Sequence, residues 1–294
     1  MRTFAALLAG LAALCAAPLA AQDGEGRTLS PQNGTIPIPA ANATLSLGDE
    51  YDFYVAEDAR TIIVDYWENR PEQAEVVLGV ILPAGLDPRE DGWGGIVTYA
   101  DTGWISNEDA RSADYDVILE EMQANARAEN LERSGLGYPE LEIVGWAQQP
   151  TYDSVSHALI WAREFDFSDS DTNALSYDVR LLGREGVLSI NFVADMDKLP
   201  AIRRAADDIT AASRFDPGAR YEDYEAGRDD VAGYGLAGLV ASGAGLAVAK
   251  QFGLFAMLVK LAKPLLVGLG IALALFFVPI RRWLRRRREG SAAA

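Results

Sequence analysis

Three groups of residues in this chain have types and spacing suited to chemistry. The first is the single histidine, His157, in the run Tyr152-Asp-Ser-Val-Ser-His157. Imidazole is the usual general acid or base near neutral pH, and Asp153 or Ser154 could pair with it. Such work needs a cleft that tunes the group, whereas this run is a polar turn between strand-like segments, so a loop role is expected. The second is Asp169-Ser-Asp171-Thr-Asn173, which begins like a calcium loop. It then carries Ala174 where that loop needs glycine and Arg180 where it needs glutamate, so a solvated hairpin loop is expected instead. The third is the set of carboxylates Asp49, Glu50, Asp52, Asp65 and Glu68. Two facing carboxyls can hydrolyse glycosides, but their separation in space decides that. With 43 acidic residues in 294, such sets arise by chance and solvated faces account for them. No catalytic, cofactor-binding or metal-ligating residue is assigned. One cysteine and one histidine exclude a disulfide framework and zinc sites built from several Cys or His.

Two further sets concern binding and packing. Trp93 and Trp104 lie near glycines and are the candidates for lining a groove for glycan or peptide, with core packing as the competing role. Gly233, Gly235 and Gly238 spell G-x-G-x-x-G, but no strand and βαβ unit precede them, so no dinucleotide cofactor is expected. In an apolar run, Gly233, Ala237, Ala241 and Gly245 form a small-residue face that lets helices approach closely in lipid. Simple filling of an apolar helix is the alternative.

The elements that would position these residues divide by charge. The formal net charge is −17. Residues 22–230 carry 42 acidic and 16 basic side chains, a charge of −26; residues 231–294 carry nine basic and one acidic, a charge of +8. That split marks a boundary between an acidic body and a basic tail. The body repels polyanions, which excludes nucleic acid as its partner. Residues 1–21 have the layout of a secretory signal peptide, with cleavage expected after Ala21 and an uncleaved anchor as the alternative. Residues 262–280 are apolar over a length that spans a bilayer. The membrane-anchoring residues would be Trp283 and Arg281, Arg282, Arg285 and Arg286, with the tail 281–294 in the cytoplasm. The Gly/Ala-rich segment 231–261 would lie at the membrane or form an interfacial helix. A two-span hairpin is the alternative, although it places the arginines outside.

Within the acidic domain 22–230, the N-terminal stretch with Pro31, Pro37 and Pro39 reads as loop. Residues 61–66 and 76–82 read as strands, and 92–101 as a glycine-rich loop entering a short strand. Residues 106–133 read as a helix that Ser106 and Asp109 would cap. Period-two alternation follows from 141 to 193, with Arg163 interrupting one apolar face and Gly183-Arg-Glu-Gly186 marking a hairpin. Residues 200–213 read as an amphipathic helix. The order predicts an α+β fold: an antiparallel sheet with helices against one face, plus a C-terminal transmembrane helix.

A series of short motifs runs through this region: Gly103-Trp-Ile105, Gly137-Tyr-Pro-Glu-Leu141, Gly145-Trp-Ala147, Pro150-x-Tyr-Asp153 and Leu159-x-Trp-Ala162. Then come Tyr177-x-Val-Arg180, Leu182-Gly-Arg184-x-Gly-Val-Leu188, Asn191, Phe215-x-Pro-Gly218 and Tyr221-x-Asp-Tyr224. Over roughly residues 30–265 the chain resembles the bacterial membrane-anchored proteins catalogued as domain of unknown function 2167. The meander-then-helix ending also resembles single-sheet domains of the photosystem-accessory type. The first resemblance implies a secreted, membrane-tethered envelope protein and supplies no activity. A non-enzymatic binding or scaffolding module is therefore expected, periplasmic and single-pass in the inner membrane. Its expected partners are the lipid bilayer, an envelope protein or wall component, and other copies through membrane helices. The alternatives are a carboxylate-dependent envelope enzyme, for example on glycans, and a lipid-organising protein acting through 231–263.

Overall fold

A computed structural model describes residues 28–242 apart from 70 and 136–138. The expected signal peptide, the span 262–280, the anchoring residues Arg281, Arg282, Trp283, Arg285 and Arg286, and Gly245 lie outside the described residues. Among the described residues no helix is long and apolar enough to cross a membrane.

The elements in chain order are β1 (Gln32–Ile38), β2 (Ala43–Val55), α1 (Ala56–Thr61), β3 (Val77–Pro83), β4 (Gly94–Ala100), α2 (Tyr115–Gly135), β5 (Leu141–Asp153) and β6 (Ala158–Phe167). There follow β7 (Ala174–Leu182), β8 (Val187–Asp195), α3 (Leu199–Ala212), β9 (Arg214–Phe215) and α4 (Leu236–Ala241). All strands join one sheet in the order β1-β2-β3-β4-β8-β7-β6-β5, with β9 pairing β2, and every ladder is antiparallel. The expected α+β architecture is therefore present.

Register sorts the side chains onto two faces. Val97 pairs with Ile190, Ile190 with Val179, and Val179 with Ile160. On this face the buried stripe of α3, Ile202, Ala205, Ala206 and Ile209, closes the main core. The opposite face carries Ile96, Asn191, Asp178 and Trp161 in one cross-strand row. Over its β3 end lie Ala59, Ile62 and Ile63, packed with Tyr54, Val80 and Leu82. Over its β5–β6 end lie Met122 and Ala126 of α2, packed with Ile143, Phe165 and Phe167. Leu236, Leu239 and Val240 of α4 pack with Leu159, Trp161, Leu182 and Val187. Helices thus cover both faces, not one.

Three local expectations differ from the structure. The β-branched run 61–66 is helical: α1 continues into a π-helical turn, Ile62–Tyr66. Burying Ile62 and Ile63 against β3 outweighs their strand preference, as packing routinely does. The proline-containing N-terminal stretch forms β1, and Pro37 is tolerated because β1 is an edge strand. The helix expected from residue 106 begins at Tyr115, and Asp109 serves another helix.

Candidate functional site

At one end of the sheet, the loop after β4 and the β5–β6 and β7–β8 turns meet the segment that follows β9. Trp104 stacks on Tyr221, with ring centroids 5.0 Å apart, and on Tyr224 at 4.3 Å. Its indole N–H donates to the Tyr221 carbonyl at 3.2 Å. The Tyr221 hydroxyl donates to the Ile105 carbonyl at 2.8 Å, and burial among acidic neighbours raises its pKa. His157 also stacks on Tyr221, at 4.4 Å. Its Nδ1 lies 2.9 Å from the Tyr152 hydroxyl, which itself accepts from Asn107 at 3.1 Å. The Tyr152 hydroxyl and His157 Nδ1 share one hydrogen bond, and Nε2 lies 3.9 Å from the Glu222 carboxylate. Asp153 accepts no hydrogen bond from the ring. Asp153 accepts from the Val155 amide and the Ser156 hydroxyl of its own turn, which hold it below the usual carboxylate range. The geometry is that of a locked turn.

Below this stack runs a polar clamp. Arg184, in the β7–β8 turn, grips Asp229 with two bonds of 2.7 and 2.8 Å and reaches Glu225 at 3.3 Å. The bonds from Arg184 lower the pKa of Asp229. Gly103 has φ +78°, and a Cβ there would stand 2.8 Å from the Asp230 carbonyl oxygen. That carbonyl accepts from the Trp104 amide, and the Trp104 carbonyl accepts from Ala232. Asp109 accepts from the first-turn amides of α4, Leu236 and Ala237, both at 2.9 Å. It therefore caps a helix more than a hundred residues downstream, not the helix it precedes. Many residues of the quoted motifs, from Gly103-Trp-Ile105 to Tyr221-x-Asp-Tyr224, hold this end together.

A second constellation lies on the sheet face shared by α2 and α4. Arg163 of β6 and Asp178 and Arg180 of β7 are 4%, 0% and 2% exposed. The Asp178 carboxylate accepts from Arg180 at 2.7 Å, Arg163 at 3.1 Å, Asn191 at 2.9 Å and Ser176 at 3.4 Å. One carboxylate faces two guanidinium groups. Burial pushes the Arg180 pKa down; Asp178 opposes this and Arg163 adds to it. Arg180 lies over the Trp161 ring at 5.2 Å and Arg163 over the Phe165 ring at 5.3 Å. A ring contributes about 0.5–2 kcal/mol to such a cation. Burying an ion costs several kcal/mol, so the rings do not offset the second cation.

The residues singled out in the sequence fall as follows. Trp93 is only 8% exposed and packs against Tyr51 and Phe192, so it fills the main core instead of lining a groove. Trp104 is half-buried and its ring is taken up by Tyr221 and Tyr224. Gly233 precedes α4 and is not helical, which breaks the expected face Gly233–Ala237–Ala241. Ala237 and Ala241 are on the part-exposed side of α4, while Leu236, Leu239 and Val240 turn into the domain. Asp49, Glu50, Asp65 and Glu68 are exposed, and Asp52 is buried and accepts from the Gly85 amide at 2.8 Å. The segment 168–173 is the β6–β7 turn, and among the described residues no group of carboxylate, His or Cys side chains is arranged to hold a metal. The Arg163–Asp178–Arg180 network was missed. Its one sequence signal was Arg163 in an otherwise apolar alternation.

A family model described as "Protein of unknown function (DUF2167)" matches residues 30–276. No curated protein matches the chain. Among solved structures, the solution structure of cyanobacterial PsbP (CyanoP) from Synechocystis sp. PCC 6803 is similar at 10% identity and a TM-score of 0.36. The match covers 68% of this chain and 100% of that one.

Proposed function

The chain belongs to the DUF2167 family of proteins of unknown function, and within it we propose a non-enzymatic binding module tethered to the outer side of the cytoplasmic membrane. One observation carries this reading: the apolar C-terminal chain begins inside the fold. The run from Val231 to Ala249 contains no charged residue. Its first helix, α4, is capped by Asp109 and buries Leu236, Leu239 and Val240 against the sheet. The chain that leads on to the proposed span at 262–280 leaves the described domain through α4. The split between a −26 body and a +8 tail supports the same orientation, since arginines beside a span stay in the cytoplasm. The partner in this reading is an envelope protein or wall component, and the domain acts by position instead of turnover.

Protease treatment of intact spheroplasts, with separate tags at Gln22 and after Ala294, tests it. Digestion of the domain with protection of the C-terminal tag is the expected result. Protection of both tags overturns it, because the domain would then face the cytoplasm. Digestion of both replaces the single span by a hairpin. Turnover of an envelope glycan by the purified chain, abolished by one carboxylate substitution, would replace the binding module by an enzyme.

A further inference from the structure

The buried network on the β6–β7–β8 face holds more donors than acceptors. After the four bonds to Asp178 are made, Arg163 Nε, Arg180 Nη1, Ser189 Oγ and Trp161 Nε1 have no hydrogen-bond partner. These atoms belong to neighbouring register positions on one face. Trp161 pairs with Asp178, Arg163 with Ser176, and Ser189 with Arg180. Three of the four are obligate donors, and the serine hydroxyl serves as a fourth. Among the fully buried atoms, no oxygen of Asp178, Ser176 or Asn191 is left without a partner. The surplus is therefore of one chemical kind: positive charge and N–H groups without an acceptor.

A guanidinium cannot remove this surplus by losing its proton in a protein. A buried group of that kind is retained with a counter-anion, and unmatched buried donors are otherwise rare. The network is also close to solvent. Thr98 of β4, which pairs with Ser189, and Asn191 of β8, which bonds Asp178, are both only partly buried. On this face α1 packs on β3 and α2 on β5, so β4 and β8 lie between the helices of the two ends.

We propose that Arg163, Arg180, Ser189 and Trp161 form an oxyanion-binding site, taking the carboxylate or phosphoryl group of a small ligand as the second anion beside Asp178. Planar guanidinium N–H pairs suit both groups. The net negative charge of residues 22–230 repels free polyanions, so the site favours a small ligand with one or two negative charges. The assignment does not depend on where the protein resides, and its test is independent of membrane topology.

The experiment uses the full chain, purified in neutral detergent and exchanged into chloride buffer. Thermal unfolding and isothermal titration are followed with inorganic phosphate and with acetate, against chloride at matched ionic strength. Saturable binding with an upward Tm shift of a few degrees is expected for one of the two anions. A phosphate response without an acetate response assigns a phosphoryl group, and the reverse assigns a carboxylate. Arg163→Gln and Ser189→Ala should each weaken that binding, Arg163→Gln roughly tenfold or more. Ser189→Ala removes no bond present in the fold, so it remains informative if Arg163→Gln fails to fold. Absence of binding by both anions overturns the proposal. So does binding that is unchanged in Ser189→Ala and Arg163→Gln, or an Arg163→Gln chain more stable than the native one in saturating anion.

Discussion

Two arginine–carboxylate centres in this domain differ in charge balance. At the clamped end, Arg184 meets Asp229 and Glu225, and Arg228 also takes up Glu225 at 3.0 Å, so two guanidiniums face two carboxylates. On the sheet face, one carboxylate, Asp178, meets two guanidiniums. The Arg184 side chain is 14% exposed, that of Glu225 53% and that of Arg228 73%, so this matched set stands partly in water. The Asp178 side chain is 0% exposed, and nothing among the described side chains balances its spare positive charge. The comparison teaches that counting ion pairs says little. The first centre is matched and acts as a fastener, whereas the second converts a surplus into a demand for a ligand.

The largest effect should come from the buried centre. Asp178→Asn leaves two buried guanidiniums without a carboxylate and should cost about 3–5 kcal/mol in denaturant unfolding. A loss below about 1 kcal/mol would break the contrast, since it would mean water already reaches the network. Next, Gly103→Ala puts a Cβ into a φ +78° backbone against the Asp230 carbonyl. It should cost about 1–3 kcal/mol by the same measurement, showing that the clamped end depends on backbone fit as well as charge. Asp109→Ala, which uncaps α4, should cost about 0.5–2 kcal/mol. Hydrogen exchange should localise that loss to the amides of residues 236–241. An exchange pattern unchanged there would detach the apolar chain from the clamp.

The smallest expected effect is a pH dependence. Arg184 bonds lower the pKa of Asp229 in the folded chain. A depressed folded pKa contributes stability above the unfolded carboxylate range, near pH 4, and that stability is lost as pH falls through the folded value. Arg184→Met should therefore flatten the acid limb of a Tm-versus-pH profile below about pH 4 and leave its shape above pH 6 unchanged. An acid limb identical to that of the native chain would show that solvent already screens the clamp.

The meander was legible because alternation has a period of two and a hairpin glycine pair is local. Leu175, Tyr177, Val179 and Leu181 are all buried as that pattern requires. The helix 199–212 was legible for the equivalent reason, with Pro200 in its first turn and four apolar residues on one side. The run 61–66 was misread because β-branched residues next to a core are served equally by strand and helix. The site was the least legible part. Ser176, Asp178 and Arg180 alternate with the apolar set of β7, and alternation separates two faces without saying what lies over each. Arg163 was visible as an exception, but its partner stands on the next strand.

The sequence by itself determined the family, the antiparallel α+β class and the division between an acidic domain and a basic, apolar C-terminal stretch, because these follow from local pattern, motif order and composition. Tertiary structure alone decided that Trp93 is core, that Asp109 caps α4 across more than a hundred residues, and that two arginines share one buried aspartate. Such contacts depend on which strands and helices become neighbours, and strand order in a sheet is settled by three-dimensional packing instead of by spacing along the chain.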